Sequence, residues 1–155
     1  MSDIGDETRL VPVTVDHDTG GFFQAAAEGR LVVRACSQCG RVLHLPMPYC
    51  HACGSWEGEW RELVGTARLY SWTTVEHQVH PAYPVPYTIV LVEPTDAPEA
   101  RFVGHLPGTH DLVDGQLMEV WFEDVDGTIL PQWRPADAGP TRDPTRGAAS
   151  SGRGS

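Results

Sequence analysis

Residues 36–40 read CSQCG and residues 50–54 read CHACG, and these two segments hold all four cysteines of the 155-residue chain. Tetrahedral zinc needs four ligands that converge on one point, and a C-x2-C turn brings two thiolates to one ion while its backbone N–H groups point at the sulfurs. Each second cysteine is followed by a glycine, which adopts a positive φ without a Cβ clash. The two segments therefore predict one closed metal site with four thiolate ligands.

Disulfides and redox chemistry are the two alternatives to a metal site for these cysteines. Disulfides need an oxidising compartment, whereas the acidic N-terminus, MSDIGDETRL, has none of the apolar core of a secretory signal. A redox role would use one C-x-x-C motif at the junction of a strand and a helix, and here there are two motifs on hairpin turns. Zinc is favoured, and iron in the same four sulfurs stays open. Because four thiolates leave no coordination position for water or substrate, we expect the metal to be structural.

The negative charge of the chain argues against nucleic acid and anionic membranes as its partners. Eleven arginines and no lysine oppose 21 acidic residues, so the formal net charge is −10. An acidic chain is a poor non-specific partner for phosphate backbones or anionic lipid. No segment approaches the roughly 18 apolar residues of a membrane-spanning helix. We therefore expect a soluble, cytoplasmic protein that binds neither nucleic acid nor membrane.

The residues before the cysteines predict a short helix. Asp18 or Thr19 is suited to cap it, good helix formers follow, and Gly29 is placed to end it. Phe22 and Phe23 are adjacent, so either one of them is left for a partner surface or both pack on the zinc-binding segment. Around the cysteines, short β-prone runs lie at residues 30–35, 41–45 and 60–63. Short hairpins with a metal at one end are typical of a zinc ribbon.

From Gly65 onward the sequence alternates as β-strands do. In residues 66–76, Ala67 and Leu69 fall on one face of a strand and Tyr70 and Trp72 on the other. Further strands are predicted at residues 87–93, 101–106, 117–123 and 128–133, separated by clusters rich in Pro, Gly and Asp. Five short strands of this kind favour a small closed barrel such as an OB-fold.

The predicted fold is therefore mainly β, with a short N-terminal helix, a rubredoxin-like zinc ribbon, a five-stranded OB-fold barrel and a disordered C-terminal tail. The tail contains no apolar residue larger than proline after residue 137. The predicted segments are a flexible arm at 1–17, helix and ribbon at 18–63, the barrel at 64–136 and the tail at 137–155.

Several motifs in a fixed order resemble one known family. A helix with paired aromatic residues is followed by GRL at 29–31, the two cysteine motifs, YSWT at 70–73, HP at 80–81 and LPQWRP at 130–135. This order resembles the acyl-CoA-associated OB-fold proteins with an N-terminal rubredoxin-like zinc ribbon, long known only as a domain of unknown function. The resemblance covers residues 22–135.

The resemblance implies an accessory subunit more than a free-standing enzyme. Members of that family accompany thiolase-like enzymes, aldolases or hot-dog hydratases of the MaoC type, in lipid, steroid or polyketide-type metabolism. It implies that this chain binds such a partner and helps to bind or shield acyl-CoA. Cys36, Cys39, Cys50 and Cys53 carry over as zinc ligands. The expected contacts with partner or acyl-CoA are Phe22, Phe23, Arg41, Trp72, His80 and Tyr87.

Two alternatives remain open at this stage. A small acyl-CoA enzyme would use Glu76, His77 or His80, with His105 and His110 as further candidates, but no nucleophile elbow or phosphate-binding loop accompanies them. A single-stranded nucleic-acid-binding OB-fold would stack bases on its aromatic residues. Such a groove also needs basic residues, and residues 65–137 contain few.

Overall fold

The computed structural model describes residues 8–136, which form one helix and seven strands. The elements in chain order are α1 (Gly20–Ala27), β1 (Val32–Cys36), β2 (Gly58–Glu62), β3 (Thr66–Val75), β4 (Tyr87–Pro94), β5 (Phe102–Pro107), β6 (Leu117–Val125) and β7 (Thr128–Pro135). The predicted fold class of a short helix, a zinc ribbon and an OB-fold barrel is confirmed. The predicted tail at 137–155 and residues 1–7 of the predicted arm lie outside the described residues.

The ribbon is a two-stranded antiparallel sheet in which β1 pairs with β2 over all five residues of each strand. The run at 41–45, predicted as a strand, is not one, because Val42 makes only an isolated bridge to Ala35. Its neighbour Leu43 instead turns into the small cluster formed with Cys36 and Cys50. The chain therefore leaves the sheet after Val42 and continues to the second cysteine motif, which lies beside the first.

The helix begins differently from the prediction. Thr19 is the N-cap residue, but neither it nor Asp18 caps α1 with its side chain. The carboxylate of Asp16 accepts hydrogen bonds from the backbone N–H groups of Asp18 and Thr19 and from the Thr19 hydroxyl. The capping acceptor thus lies one turn earlier than the sequence suggested. The helix ends as expected, with Gly29 at a φ of 73°.

The barrel sheet has the strand order β5-β4-β3-β6-β7. β5 and β7, the two edges of this sheet, lie against each other and close the barrel. The approach is close at Gly104, where a Cβ atom would lie 3.1 Å from the backbone nitrogen of Trp133. Across this join the backbone N–H of His105 donates to the side-chain oxygen of Gln132, over 2.8 Å.

A β-bulge at Tyr70 corrects the predicted faces of β3. Leu69 lies opposite Val92, but Ser71 lies opposite Leu91, so the register shifts by one residue at Tyr70. Directly opposed residues share a face, and an extra residue in one strand inverts the alternation beyond it. Trp72 therefore lies opposite the fully buried Val90 and shares the face of Leu69, not that of Arg68 as strict alternation predicted.

One apolar core runs from the barrel into the ribbon. Its fully buried centre includes Leu69, Met118 and Trp133 of the barrel. The ribbon and the segment after it contribute Leu31, Val33, Val42 and Leu63 to the same cluster. The half-buried ring of Phe22 packs against this core and stacks on Phe102, with ring centroids 6.0 Å apart. Helix, ribbon and barrel are thereby held at one junction.

Candidate functional site

The four cysteine thiols lie together at the end of the ribbon. All four sulfurs lie within 4.8 Å of one another. The Cys36 and Cys53 sulfurs are 3.6 Å apart, as are those of Cys39 and Cys50. A regular tetrahedron with Zn–S bonds of about 2.3 Å has sulfurs about 3.8 Å apart. The four thiolates therefore fit a single tetrahedral zinc ion and leave it no open position for water or substrate, as in structural sites.

The two cysteine turns have matching backbone hydrogen bonds. The N–H of Cys36 donates to the carbonyl of Arg41, and that of Cys50 donates to the carbonyl of Ser55, both over 2.8 Å. The N–H groups of Gly40 and Gly54 donate back to the carbonyl of the first cysteine of each turn, and their φ angles of 72° and 76° lie in the region that favours glycine. The two turns thus form a pseudo-twofold pair, as the sequence predicted.

Backbone N–H groups within the second turn favour the thiolate form. Those of Cys53 and Ala52 lower the pKa of the Cys50 thiol to about 7. Hydrogen bonds to the charged form of a group stabilise that form, and metal binding requires it. The backbone thus favours the thiolate at Cys50, whereas the neighbouring thiols raise the pKa of Cys53 to about 12 when no metal is bound. His44 takes no part, because its ring Nε2 donates to the carbonyl of Arg101, over 2.6 Å.

A cleft of about 700 Å³ lies where helix, ribbon and barrel meet. Its floor is the outward face of β4 and β5, where alternate residues such as Ile89, Val103 and His105 point away from the core. The helix contributes Phe22 and Phe23 to its wall. The cleft is also lined by Arg9, Arg34, Leu45, Trp60, His80, Tyr83, Tyr87, Arg101, Phe102, Leu130, Pro131 and Gln132.

Four of the six predicted contact residues lie in this cleft, and two do not. Phe22, Phe23, His80 and Tyr87 line it together, although they come from the helix, a loop and β4. The remaining two are placed elsewhere. Arg41 is exposed in the first cysteine turn, and Trp72 lies on β3 with 39% of its surface exposed.

The helix is placed against the ribbon by a close approach. A Cβ atom at Gly21 would lie 2.1 Å from the indole nitrogen of Trp60, so only glycine fits there without displacing the ring. Trp60 also contacts Arg34, its cross-strand partner on β1, whose guanidinium lies over the Trp60 ring at 5.8 Å from the centroid. The Trp60 ring is therefore in contact with both the helix and the neighbouring strand.

A connected set of polar groups occupies the other end of the cleft. Arg9 pairs with Glu123 over 2.6 Å and lies over the Tyr83 ring, 5.4 Å from its centroid. The side chain of Gln132 donates to Glu123 over 2.9 Å and accepts the backbone N–H of His105. Burial, assisted by the positive charge of Arg9, lowers the pKa of His105. The imidazole is therefore neutral at pH 7.

The candidates for catalysis are not assembled into a catalytic group. Glu76 and His77 are exposed, and within residues 8–136 no hydrogen bond or ion pair joins either of them to another side chain. The ring of His80 accepts the N–H of Ala82 over 3.2 Å, and that of His110 donates to the carbonyl of Pro107 over 2.8 Å. Both histidines thus have local structural partners in their loops.

Sequence reasoning left Arg9, Tyr83 and Gln132 out of the site. Arg9 was placed in an arm that was expected to be loose, yet it contacts Glu123, 114 residues further along the chain. Tyr83 lies in the proline-rich loop that follows β3, whose aromatic content was the one available signal. Gln132 carried no signal, because its role depends on how β5 and β7 meet.

The architecture is that of a zinc-ribbon and OB-fold protein with a cleft between its two modules. Two family models match the chain in order. One describes the rubredoxin-like zinc ribbon domain of ChsH2, at residues 23–57, and the other describes the C-terminal OB-fold domain of ChsH2, at residues 60–123. The chain belongs to this ChsH2 family, and a solved ChsH2 chain that it matches is also described as a DUF35 protein.

Three relatives illustrate the family. A solved chain described as "Ltp2-ChsH2(DUF35) aldolase" is 33% identical, with a TM-score of 0.74 over 81% of this chain and 99% of that chain. A DUF35 structure of unknown function from Sulfolobus solfataricus shares the fold at 17% identity, with a TM-score of 0.52 over 75% of this chain and 84% of its own.

The third relative is a curated protein from Thermomonospora curvata, named "Probable enoyl-CoA hydratase alpha subunit". It is 35% identical over 125 residues, which are 79% of this chain. The chain spans 39% of the length of that protein. Among residues 8–136, no helix is long and apolar enough to cross a membrane.

Proposed function

We propose that this protein is a non-catalytic accessory subunit of an enzyme that acts on acyl-CoA. The observation that carries the proposal is the cleft at the junction of helix, ribbon and barrel, in a chain of the ChsH2 family. The cleft is walled by apolar and aromatic residues, as ligand sites usually are. It receives the acyl thioester and shields it from water.

The names of two relatives support an enzyme partner. One relative is described as part of an aldolase, and the other is named as a subunit of an enoyl-CoA hydratase. The catalytic partner of this chain is accordingly an aldolase of the thiolase-like class or a hot-dog hydratase. The zinc ion has a structural role, and the reacting groups belong to the partner.

The arginines of the chain favour this function over binding to nucleic acid. Four of the eight in residues 8–136, namely Arg9, Arg30, Arg101 and Arg134, form ion pairs with carboxylates. A groove that follows a nucleic-acid backbone needs arginines that are free to contact phosphate. Of the three arginines around the ribbon, Arg30, Arg34 and Arg41, only Arg34 lines the cleft.

An exposed aromatic pair on the ribbon forms the docking surface for the partner. Trp56 is 72% exposed and Tyr49 44% exposed, and their ring centroids lie 5.4 Å apart. Leu45, four residues before Tyr49 in the chain, is 74% exposed and lines the cleft. Aromatic residues are enriched in protein interfaces.

Co-purification tests the proposal. The tagged full chain is expressed with the acyl-CoA enzymes encoded beside it, and stoichiometric partners are identified by size exclusion and mass spectrometry. We expect an aldolase or hydratase to co-elute with the wild type and with Val113→Glu, a control at an exposed apolar residue outside the ribbon, but not with Trp56→Glu. Elution of the wild type alone, with unaided turnover of acyl-CoA, would refute the accessory role. Elution with RNA or single-stranded DNA would favour the nucleic-acid alternative.

A further inference from the structure

Two buried polar atoms without a hydrogen-bond partner belong to the polar end of the cleft. They are the ring Nε2 of His105 and the Nε of Arg9. Five such side-chain atoms occur within residues 8–136, and a third, the Nε of Arg34, also belongs to a residue that lines the cleft. The other two are the indole nitrogens of Trp121 and Trp133. Buried polar groups are nearly always paired, so a cluster of unpaired ones at a cleft points to a ligand.

The surroundings hold both groups firmly in place. The His105 ring lies between Tyr87 and Tyr83, with centroid separations of 5.1 Å and 6.2 Å. Its backbone is tied to Gln132, and Gln132 is tied through Glu123 to Arg9. This chain of hydrogen bonds joins β5, β7, β6 and the N-terminal arm. The two unpaired atoms are therefore supported by a built network and do not belong to loose surface side chains.

The chemistry of the two atoms defines the ligand group that would satisfy them. A guanidinium nitrogen only donates, so the ligand must offer an acceptor with free lone pairs. The charge of Arg9 is already balanced by Glu123, and the imidazole beside it is neutral. An uncharged acceptor therefore suits this end of the cleft better than a carboxylate or a phosphate. The adjoining walls, formed by Ile89, Val103 and Leu130, suit an alkyl chain.

We propose that His105 is a ligand-binding residue whose Nε2–H donates a hydrogen bond to the thioester carbonyl oxygen of an acyl-CoA bound in the cleft, with Arg9 Nε as a second donor. This inference rests on the proposed function and assigns its substrate contact. In acyl-CoA, the thioester carbonyl is the uncharged acceptor that directly adjoins the acyl chain. His105 then selects thioesters over ligands that lack the carbonyl.

Two matched probes test the contact. Octanoyl-CoA and S-octyl-CoA have the same chain and the same CoA, but only the first carries the carbonyl. Their dissociation constants are measured by calorimetry on the zinc-loaded full chain and on its co-purified complex. We expect the wild type to prefer octanoyl-CoA by roughly 3- to 10-fold from the neutral hydrogen bond of His105 alone, and by more with the charged Arg9 donor added. Any contribution of the partner enzyme cancels when the same ratio is compared between variants.

Three substitutions assign the preference to His105. His105→Phe keeps the ring packing between the tyrosines and removes one of the two donors, so it should lower the preference to the part that Arg9 supplies alone. His105→Gln keeps an N–H donor and should recover part of it. His77→Phe, at an exposed histidine outside the cleft, should leave it unchanged. A preference that is the same in the wild type and in folded His105→Phe would overturn the contact and leave the proposed function intact. Failure of both probes to bind would overturn the contact and the proposed function together.

An experiment on the wild type keeps the inference testable even if the variants do not fold. Octanoyl-CoA labelled with 13C at the carbonyl is bound to the wild-type protein, and the carbonyl stretch is followed by isotope-edited infrared spectroscopy. A hydrogen bond from His105 and Arg9 lowers the stretching frequency below that of the probe in a non-bonding solvent. A bound carbonyl whose frequency equals that of the non-bonded probe would contradict the proposal.

Discussion

The two ends of the ribbon are stabilised in different ways. At the metal end, the buried cluster consists of Cys36, Leu43 and Cys50 alone, and two of these three are metal ligands. At the barrel end, Leu31 and Val33 belong to a continuous cluster of fifteen buried residues that includes the barrel core. The three buried residues at the metal end cannot by themselves offset the loss of backbone entropy when that end folds. The metal end therefore depends on zinc, whereas the barrel end depends on apolar burial.

Loss of a zinc ligand should have the largest effect, and it should be confined to one end. Cys50→Ser removes a buried thiolate, and structural zinc in small modules contributes roughly 10–16 kcal/mol of apparent binding free energy. We expect loss of the zinc and of amide protection over residues 36–58, while β3 to β7 stay protected. Metal analysis and hydrogen exchange measure both quantities.

The control for the zinc prediction is Ser37→Ala, at an exposed position between two ligands. It should retain one zinc per chain. A Cys50→Ser protein with full zinc content and an unchanged melting curve would show that the cluster does not depend on its ligands.

A cavity in the barrel core should destabilise the barrel and leave the zinc site unaffected. Leu69 is 1% exposed, and Leu69→Ala should lower the free energy of unfolding by about 2–5 kcal/mol, since the removed methyl groups leave a void. Because the metal end has its own source of stability, zinc content below the melting temperature should not change. Chemical denaturation and metal analysis test the two statements. Val113→Ala, at a 63% exposed valine, should change the free energy by less than about 0.5 kcal/mol.

A steric clash where the helix meets the ribbon should disturb the cleft without acting directly on the zinc site or the barrel core. Gly21→Ala places a methyl group against the Trp60 indole and should cost about 1–3 kcal/mol, as over-packing does. The helix should shift and the Trp60 fluorescence should change. Gly20→Ala is a matched control, since the nearest atom to its new Cβ lies 3.5 Å away and alanine favours the helix. Equal stability of the two variants would mean that the helix is not seated on Trp60.

The smallest expected effect is on the dependence of stability on pH. Burial lowers the pKa of both His44 and His105 below their ordinary 6.5. As the pH falls, the two histidines of the unfolded chain take up protons before those of the folded chain do. Their contribution to the free energy of unfolding is therefore complete above pH 6.5 and is lost as the pH falls toward the lowered pKa values of the folded state. The free energy of unfolding should fall less between pH 7 and pH 5 in His44→Gln/His105→Gln than in the wild type. His77→Gln should keep the wild-type slope.

Much of the fold was predictable because its signals are local. Alternating apolar residues and turn-forming clusters predicted the five barrel strands within one or two residues, and the cysteine spacing predicted the zinc site. The bulge at Tyr70 was not predictable, because a register shift is defined by the partner strand and not by the strand itself. The strand wrongly predicted at 41–45 has β-prone residues, but Leu43 is drawn to the metal cluster by tertiary contacts.

The candidate site was predictable only where it follows family motifs. Phe22, Phe23, His80 and Tyr87 were selected by resemblance, and the fold brings them to one cleft. The polar end of the cleft depends on contacts between distant parts of the chain, such as that of Arg9 with Glu123. Single residues of this kind carry no pattern in the sequence, so only the folded chain shows that they meet.

The join between β5 and β7 makes the barrel a split cylinder. Within residues 8–136, no ladder of backbone hydrogen bonds connects these strands, and the Gln132 side chain bridges them at His105. Separating any other pair of neighbouring strands in the barrel would break the backbone hydrogen bonds between them. Separating β5 from β7 breaks no such ladder and therefore costs less free energy. Breathing motions of the barrel should concentrate along this line. Gly104, His105, Pro131 and Gln132, which lie along it, also line the cleft. The compliant line of the cylinder thus runs along the floor of the cleft, so an occupant held there would damp the motion.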